Sequence, residues 1–139
     1  TKLFMYQFIQ QQKMKSFIVT LIIGAVLVTG SVLYSHHLKT EADKLSEITD
    51  NIKESVKAED YKSAENQTEK LNKSVSEFEK FFLATGDHLE IDNIKINLAE
   101  LKSFIKHEMQ SDAMSKIYVL EFLFEHLPHN TKVRIGNIL

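Results

Sequence analysis

The chain has 139 residues, 17 Lys and Arg against 19 Asp and Glu, and no cysteine. Without cysteine there is no disulfide, Cys-bound zinc, thiol nucleophile or lipoprotein acylation. A net charge of −2 makes a poor nucleic-acid binder, because phosphate neutralisation needs a basic face. One proline and four glycines predict helices throughout, with no strand pattern.

Phe17 to Tyr34 is a run of apolar and small residues without a charge. As a helix it is roughly 27 Å long, close to the hydrocarbon thickness of a bilayer. Lys2, Lys13 and Lys15 precede it, and the first acid is Glu41. The positive-inside rule therefore predicts a cytoplasmic N-terminus and an extracytoplasmic C-terminal part. The expected division is a leader over 1–16, a transmembrane anchor over 17–34 and an extracytoplasmic helical domain over 35–139. A cleaved signal peptide is the alternative, with Val28 and Gly30 before a cut at Ser31, but the run exceeds the usual 7–15-residue core of such peptides. Met14-Lys15 looks like a natural start, so residues 1–13 are expected to be an artefact; otherwise Leu3, Phe4, Phe8 and Ile9 extend the anchor helix at the interface. Within the anchor, Gly24, Ala25 and Thr29 place small residues on the helix, and Ala25-x-x-x-Thr29 has the spacing that packs against another membrane helix. His36-His37 lies at the membrane exit, as interfacial polar residues or as a pH sensor.

About a hundred residues follow, enough for one small core. Leu38, Ala42, Leu45, Ile48, Ile52 and Val56 predict an amphipathic helix from Leu38 to about Lys57, expected to run straight on from the anchor because no breaker separates Tyr34 from Leu38. The joint Ala58-Glu59-Asp60 opens a second helix with Tyr61, Ala64, Thr68, Leu71, Val75, Phe78 and Phe82 inward, ending near Gly86. Asp87 and Glu90 read as a capping box for a third helix carrying Ile91, Ile94, Leu98, Leu101, Ile105 and Met109. Ser111-Asp112 is expected to cap a fourth, with Ala113, Ile117, Leu120, Leu123, Phe124 and Leu127 inward and Pro128 as its stop. The tail Val133–Leu139 is apolar enough to dock on the bundle. The predicted fold is all-α: a single N-terminal transmembrane helix followed by a small antiparallel bundle of about four helices.

The densest polar cluster is Asp87, His88, Glu90 and Asp92. Capping, dipole complementation and a local His88–Asp92 pair explain it. His88, Glu90 and Asp92 are at best weak metal ligands, with His126 or His129 arriving from the fourth helix. No nucleophile, carboxylate pair or cofactor motif is in place, so neither catalytic residues nor a cofactor are predicted. The aromatic belt of Phe78, Phe81, Phe82, Phe104, Tyr118, Phe122 and Phe124 fills the core for the most part. Adjacent pairs exceed what one buried stripe needs, and Phe81, Phe82 and Phe122 are candidate partner-binding residues, with Phe81 and Phe122 the more exposed.

Several segments together carry a resemblance: the anchor Met14–Tyr34, Asp60-Tyr61-Lys62-Ser63-Ala64, His88-Leu89-Glu90-Ile91-Asp92-Asn93-Ile94, Leu120 to Pro128, and the terminal Asn137-Ile138-Leu139. From Met14 to Leu139 the chain resembles the domain-of-unknown-function family 4363, small anchored proteins of spore-forming, mostly clostridial bacteria. The resemblance implies a bacterial membrane protein without established activity, encoded near YetF-like membrane proteins linked to spore membranes. Where that family often has Trp in the second helix, this chain has Tyr61 and Val75. Asp60-Tyr61-x-x-Ala64 is also similar to a tetratricopeptide helix, but no repeat at that period accompanies it. The reading that results is a non-enzymatic accessory protein, in the bilayer through residues 17–34, binding a membrane-protein partner such as a YetF-like protein in a homo- or hetero-oligomer. The alternative is an extracytoplasmic sensor of a small ligand or divalent metal.

Overall fold

The computed structural model describes residues 2–82 and 88–130, the side chains of 129 and 130 excepted. Four helices follow in order: α1 (Lys2–Lys57), α2 (Tyr61–Phe82), α3 (His88–Lys106) and α4 (Gln110–Asn130). No strand occurs among the described residues, so the all-α fold is as the sequence predicts. The chain divides into two units, Thr1–His37 and Leu38–Leu139.

In the first unit, α1 carries the one helical segment among the described residues that is long and apolar enough to cross a membrane. Its large apolar side chains are exposed, Ile22 and Leu27 among them. Thr20 Oγ1 donates to the Ser16 carbonyl at 2.9 Å, which satisfies the hydroxyl inside the helix.

The second unit begins with the rest of α1, where Leu38, Ala42, Leu45, Ile48, Ile52 and Val56 are buried on one stripe. The stripes of α2 and α3 are buried as their spacing predicts from Ala64 to Phe82 and from Ile91 to Ile105, while Tyr61 is half-buried. Polar contacts join neighbouring helices around the unit. Ser55 and Ser63 hydroxyls meet at 3.1 Å between α1 and α2. Lys95 binds Glu79, and Lys102 binds Glu69, between α3 and α2. Lys116 of α4 binds Glu100 of α3. Lys53 of α1 binds Glu121 of α4, and Gln110 Nε2 donates to the Val56 carbonyl at 3.0 Å. The last helix thus returns to the first, as in an up-down bundle.

Both described joints have the same geometry. Asp60 N–H donates to the Ser55 carbonyl at 2.9 Å and Glu59 N–H to Val56 at 3.1 Å. Met109 N–H donates to Phe104 at 2.9 Å and Glu108 N–H to Ile105 at 3.0 Å. These are Schellman caps. Each puts a glutamate at positive φ, 56° for Glu59 and 55° for Glu108, where glycine is usual. Asp60 then caps α2, its Oδ1 accepting from Ser63 N–H at 3.0 Å.

The shared joint belongs to a larger repeat. Ala42, Leu45, Ile48, Thr49, Ile52 and Val56 of α1 are buried. The buried residues of α3, Ile91, Ile94, Asn97, Leu98, Leu101 and Ile105, stand 49 positions later one for one. Under the same displacement Ala64, Thr68, Leu71, Val75 and Phe78 of α2 become Ala113, Ile117, Leu120, Phe124 and Leu127 of α4, all buried. The pattern of buried residues in α1 and α2 thus recurs in α3 and α4. Lys102 of α3 grips Glu69 of α2, while its counterpart Lys53 of α1 lies 5.9 Å from the ring of Tyr118, the counterpart of Glu69 on α4.

Three expectations need correction. Helix α4 begins at Gln110, not at a Ser111-Asp112 cap, because the preceding Schellman turn delivers Met109 to the N-cap position, where its carbonyl accepts from Ala113 N–H at 2.9 Å. Met109 is therefore no part of α3's inward stripe, and it is 41% exposed. Pro128 does not stop α4, which continues to Asn130. A proline lacks the N–H that would donate to the Phe124 carbonyl and crowds that turn, and α4 ends two residues beyond it. The expected end of α2 near Gly86, the Asp87 cap and the tail Val133–Leu139 lie outside the described residues.

Candidate functional site

The sequence-predicted residues separate into three places. Gly24, Ala25 and Thr29 lie on the exposed apolar part of α1. A Cβ added to Gly24 would meet nothing within 4 Å, so that surface is open. His88, Glu90 and Asp92 lie in the first turns of α3, His88 and Asp92 exposed and Glu90 half-buried. Among the described residues no three His, Asp or Glu side chains come together in a way that could hold a metal ion. Glu90 faces a cavity of about 210 Å³ between α3 and α4, with Ile94, Phe122, Leu123, His126 and Leu127. That volume is below the usual range for ligand pockets, about 300–1,000 Å³.

The aromatic candidates part company. Phe82 is fully buried, its ring 5.2 Å from that of Phe78, itself 2% exposed. Its assignment to a partner surface is corrected: it continues the inward stripe of α2, four residues after Phe78. Phe81 is half-buried. Phe122 is 60% exposed, and its ring stacks at 4.1 Å on the imidazole of His126 one turn later. His126 Nδ1 is also 2.8 Å from the Phe122 carbonyl.

Beside Phe122 lie Tyr118, expected in the core belt, and Val119, which no sequence motif marks. Tyr118 is 56% exposed and Val119 37%. Tyr118, Val119, Phe122 and His126 follow helical spacing on one face of α4, opposite Ile117, Leu120 and Phe124 in the core. The signal in the sequence is that α4 is apolar on more of its circumference than a single buried stripe requires. Lys53 anchors this face from behind. Its Nζ donates to Asp50 Oδ1 at 2.8 Å and to Glu121, beneath the Tyr118 ring. The hydrogen bond to Asp50, then that to Glu121, raises the Lys53 pKa above its ordinary value. Asp50 is lowered in turn, chiefly by the bond from Lys53.

The model of the family described as Domain of unknown function (DUF4363) matches residues 32–138. The chain belongs to that family. The match spans the duplicated hairpins and omits most of the apolar run of α1. No curated protein and no solved structure matches the chain.

Proposed function

We propose that this DUF4363 protein is a non-enzymatic, membrane-anchored accessory protein whose helical domain binds a membrane-protein partner. The observation that carries the reading is the exposed stripe Tyr118, Val119 and Phe122 on a domain whose core is complete without it. Exposed apolar residues grouped on one face mark interaction surfaces, and scattered ones do not. The exposed apolar run of α1 supports insertion in a bilayer. The lysines before it support a cytoplasmic N-terminus and an extracytoplasmic domain. A YetF-like membrane protein is the partner that the family resemblance proposes.

The test is affinity purification of the tagged full chain after crosslinking in its native membranes. A stoichiometric membrane partner, lost in Phe122→Asp, supports the reading. A protein recovered alone sinks it and turns attention to the cavity at Glu90 and His126 as a sensor site. Protease protection of the domain in sealed vesicles checks the topology.

A further inference from the structure

The duplication supplies an internal control for every surface residue, and α4 departs from α2 in one way. At corresponding exposed positions, α2 carries Glu69, Lys70, Lys73 and Glu77, and α4 carries Tyr118, Val119, Phe122 and His126. Helix α2 buries a stripe of the same spacing and carries no apolar residue at these places. The apolar face of α4 is thus not a demand of the fold.

We propose that this face of α4 is the docking site for a basic amphipathic helix of the partner protein. The inference rests on the accessory reading above and names the partner's chemistry. Charge decides between occupants. The face is bordered by Asp112 and Glu125, both exposed and without an ion pair among the described residues. The lysine of α4, Lys116, is engaged by Glu100 and Asn97 of α3. An anionic lipid surface meets two carboxylates there and no available cation. A second copy of this chain, paired α4 to antiparallel α4, sets Asp112 against Glu125 of its twin. A helix with apolar residues at i and i+3 or i+4, flanked by Lys or Arg, satisfies both the stripe and its border. From Tyr118 to His126 the face runs roughly 12 Å, which two to three turns of such a helix cover.

The test places a photo-crosslinking amino acid at position 119 of the full chain in native membranes, and at the corresponding position 70 as the control. The expected result is a crosslink from 119 to a peptide of another protein, helical in pattern and flanked by Lys or Arg, with none from 70. Asp112→Lys with Glu125→Lys is expected to cut that yield at least about tenfold. The helical circular dichroism should stay unchanged, because both side chains are exposed. A lipid adduct, a crosslink to this same chain, equal labelling from 70, or a yield indifferent to the charge reversals overturns the proposal. If a partner co-purifies but crosslinks only from positions 25 and 29, the docking face falls while the accessory reading stands. If no partner co-purifies and 119 remains unlabelled, both fall.

Discussion

The two hairpins of the helical unit share a core pattern, a joint and a seam, yet they differ where they meet solvent. In α1–α2 the outward positions are charged, and in α3–α4 the outward face of α4 is aromatic and aliphatic. Burial is conserved between the halves because each stripe fills the same interior, where a change of one side chain is felt by several neighbours. The outer face carries no such constraint, so its composition reports on use. The contrast also separates Phe82, which ends the inward stripe of α2, from Phe122, which lies on the outward face in the middle of α4.

The largest effect should separate those two phenylalanines. Phe82→Asp places an unpaired carboxylate in a fully buried site and is expected to unfold the domain, a loss above about 4 kcal/mol. Phe122→Asp should change stability by about 0.5 kcal/mol or less while abolishing partner recovery. Denaturation of the full chain in detergent, followed by circular dichroism, reads both. Equal losses would break the contrast between core and face.

Next is a matched pair inside the repeat. Leu71 and Leu120 are counterparts, each fully buried. Leu71→Ala and Leu120→Ala should each cost about 2–5 kcal/mol. The duplication further predicts that the two costs differ by less than about 1.5 kcal/mol, well inside that spread. A large inequality would mean that the halves share a pattern but not a packing environment.

The joints offer a finer comparison. Asp60 caps α2 through its carboxylate, whereas Met109 at the corresponding place offers α4 only its backbone. Asp60→Ala should cost about 1 kcal/mol, and Met109→Asp should stabilise by a similar amount. At the preceding positions, Glu59→Gly and Glu108→Gly relieve positive φ at each joint. Each is expected to stabilise by roughly 0.5 kcal/mol, the strain removed being partly offset by the freer unfolded chain.

Much of this was legible in the sequence. Helical periodicity located the inward stripes of all four helices, apart from Tyr61 and Leu123, which are half-buried at the stripe edges, since burying the stripes is what makes the helices stable. What escaped was what periodicity does not encode. Met109 reads as a core residue, and only the Schellman turn at Glu108 makes it an N-cap. The repeat was hidden because its halves share residue types more than residues: Thr49 answers to Leu98 and Val75 to Phe124. Few identities survive, among them Lys53 with Lys102, Glu59 with Glu108 and Leu71 with Leu120. For the site, Phe122 was legible as an apolar residue beyond the core stripe. Phe81-Phe82 reads as an exposed pair only if neighbours share a face, whereas helical geometry sends them 100° apart and buries Phe82 alone completely.

The smallest expected effect is on the two lysine seams. The Glu69 carboxyl is held below its ordinary pKa, chiefly by the hydrogen bond from Lys102, and Asp50 likewise by Lys53. A carboxyl whose pKa is lower folded than unfolded adds stability above its unfolded value, and that stability disappears as pH falls through the folded value. The Lys102–Glu69 seam and the Asp50–Lys53 pair inside α1 should therefore both weaken below about pH 4. Lys53 has the opposite sign. Its raised pKa adds stability that is whole below its unfolded value, near pH 10.4, and is lost as pH rises through the folded one. Alkali thus tests the α1–α4 seam, the one that underlies Tyr118. Glu69→Gln and Asp50→Asn should each flatten the acid limb of the stability profile slightly, because these carboxylates are exposed and surface pairs contribute little. Lys53→Met should flatten the alkaline limb and also loosen Tyr118, so that crosslinking from position 119 falls although no residue of the outer face has changed. Lys102→Met, at the corresponding place in the other half, should leave that crosslink intact.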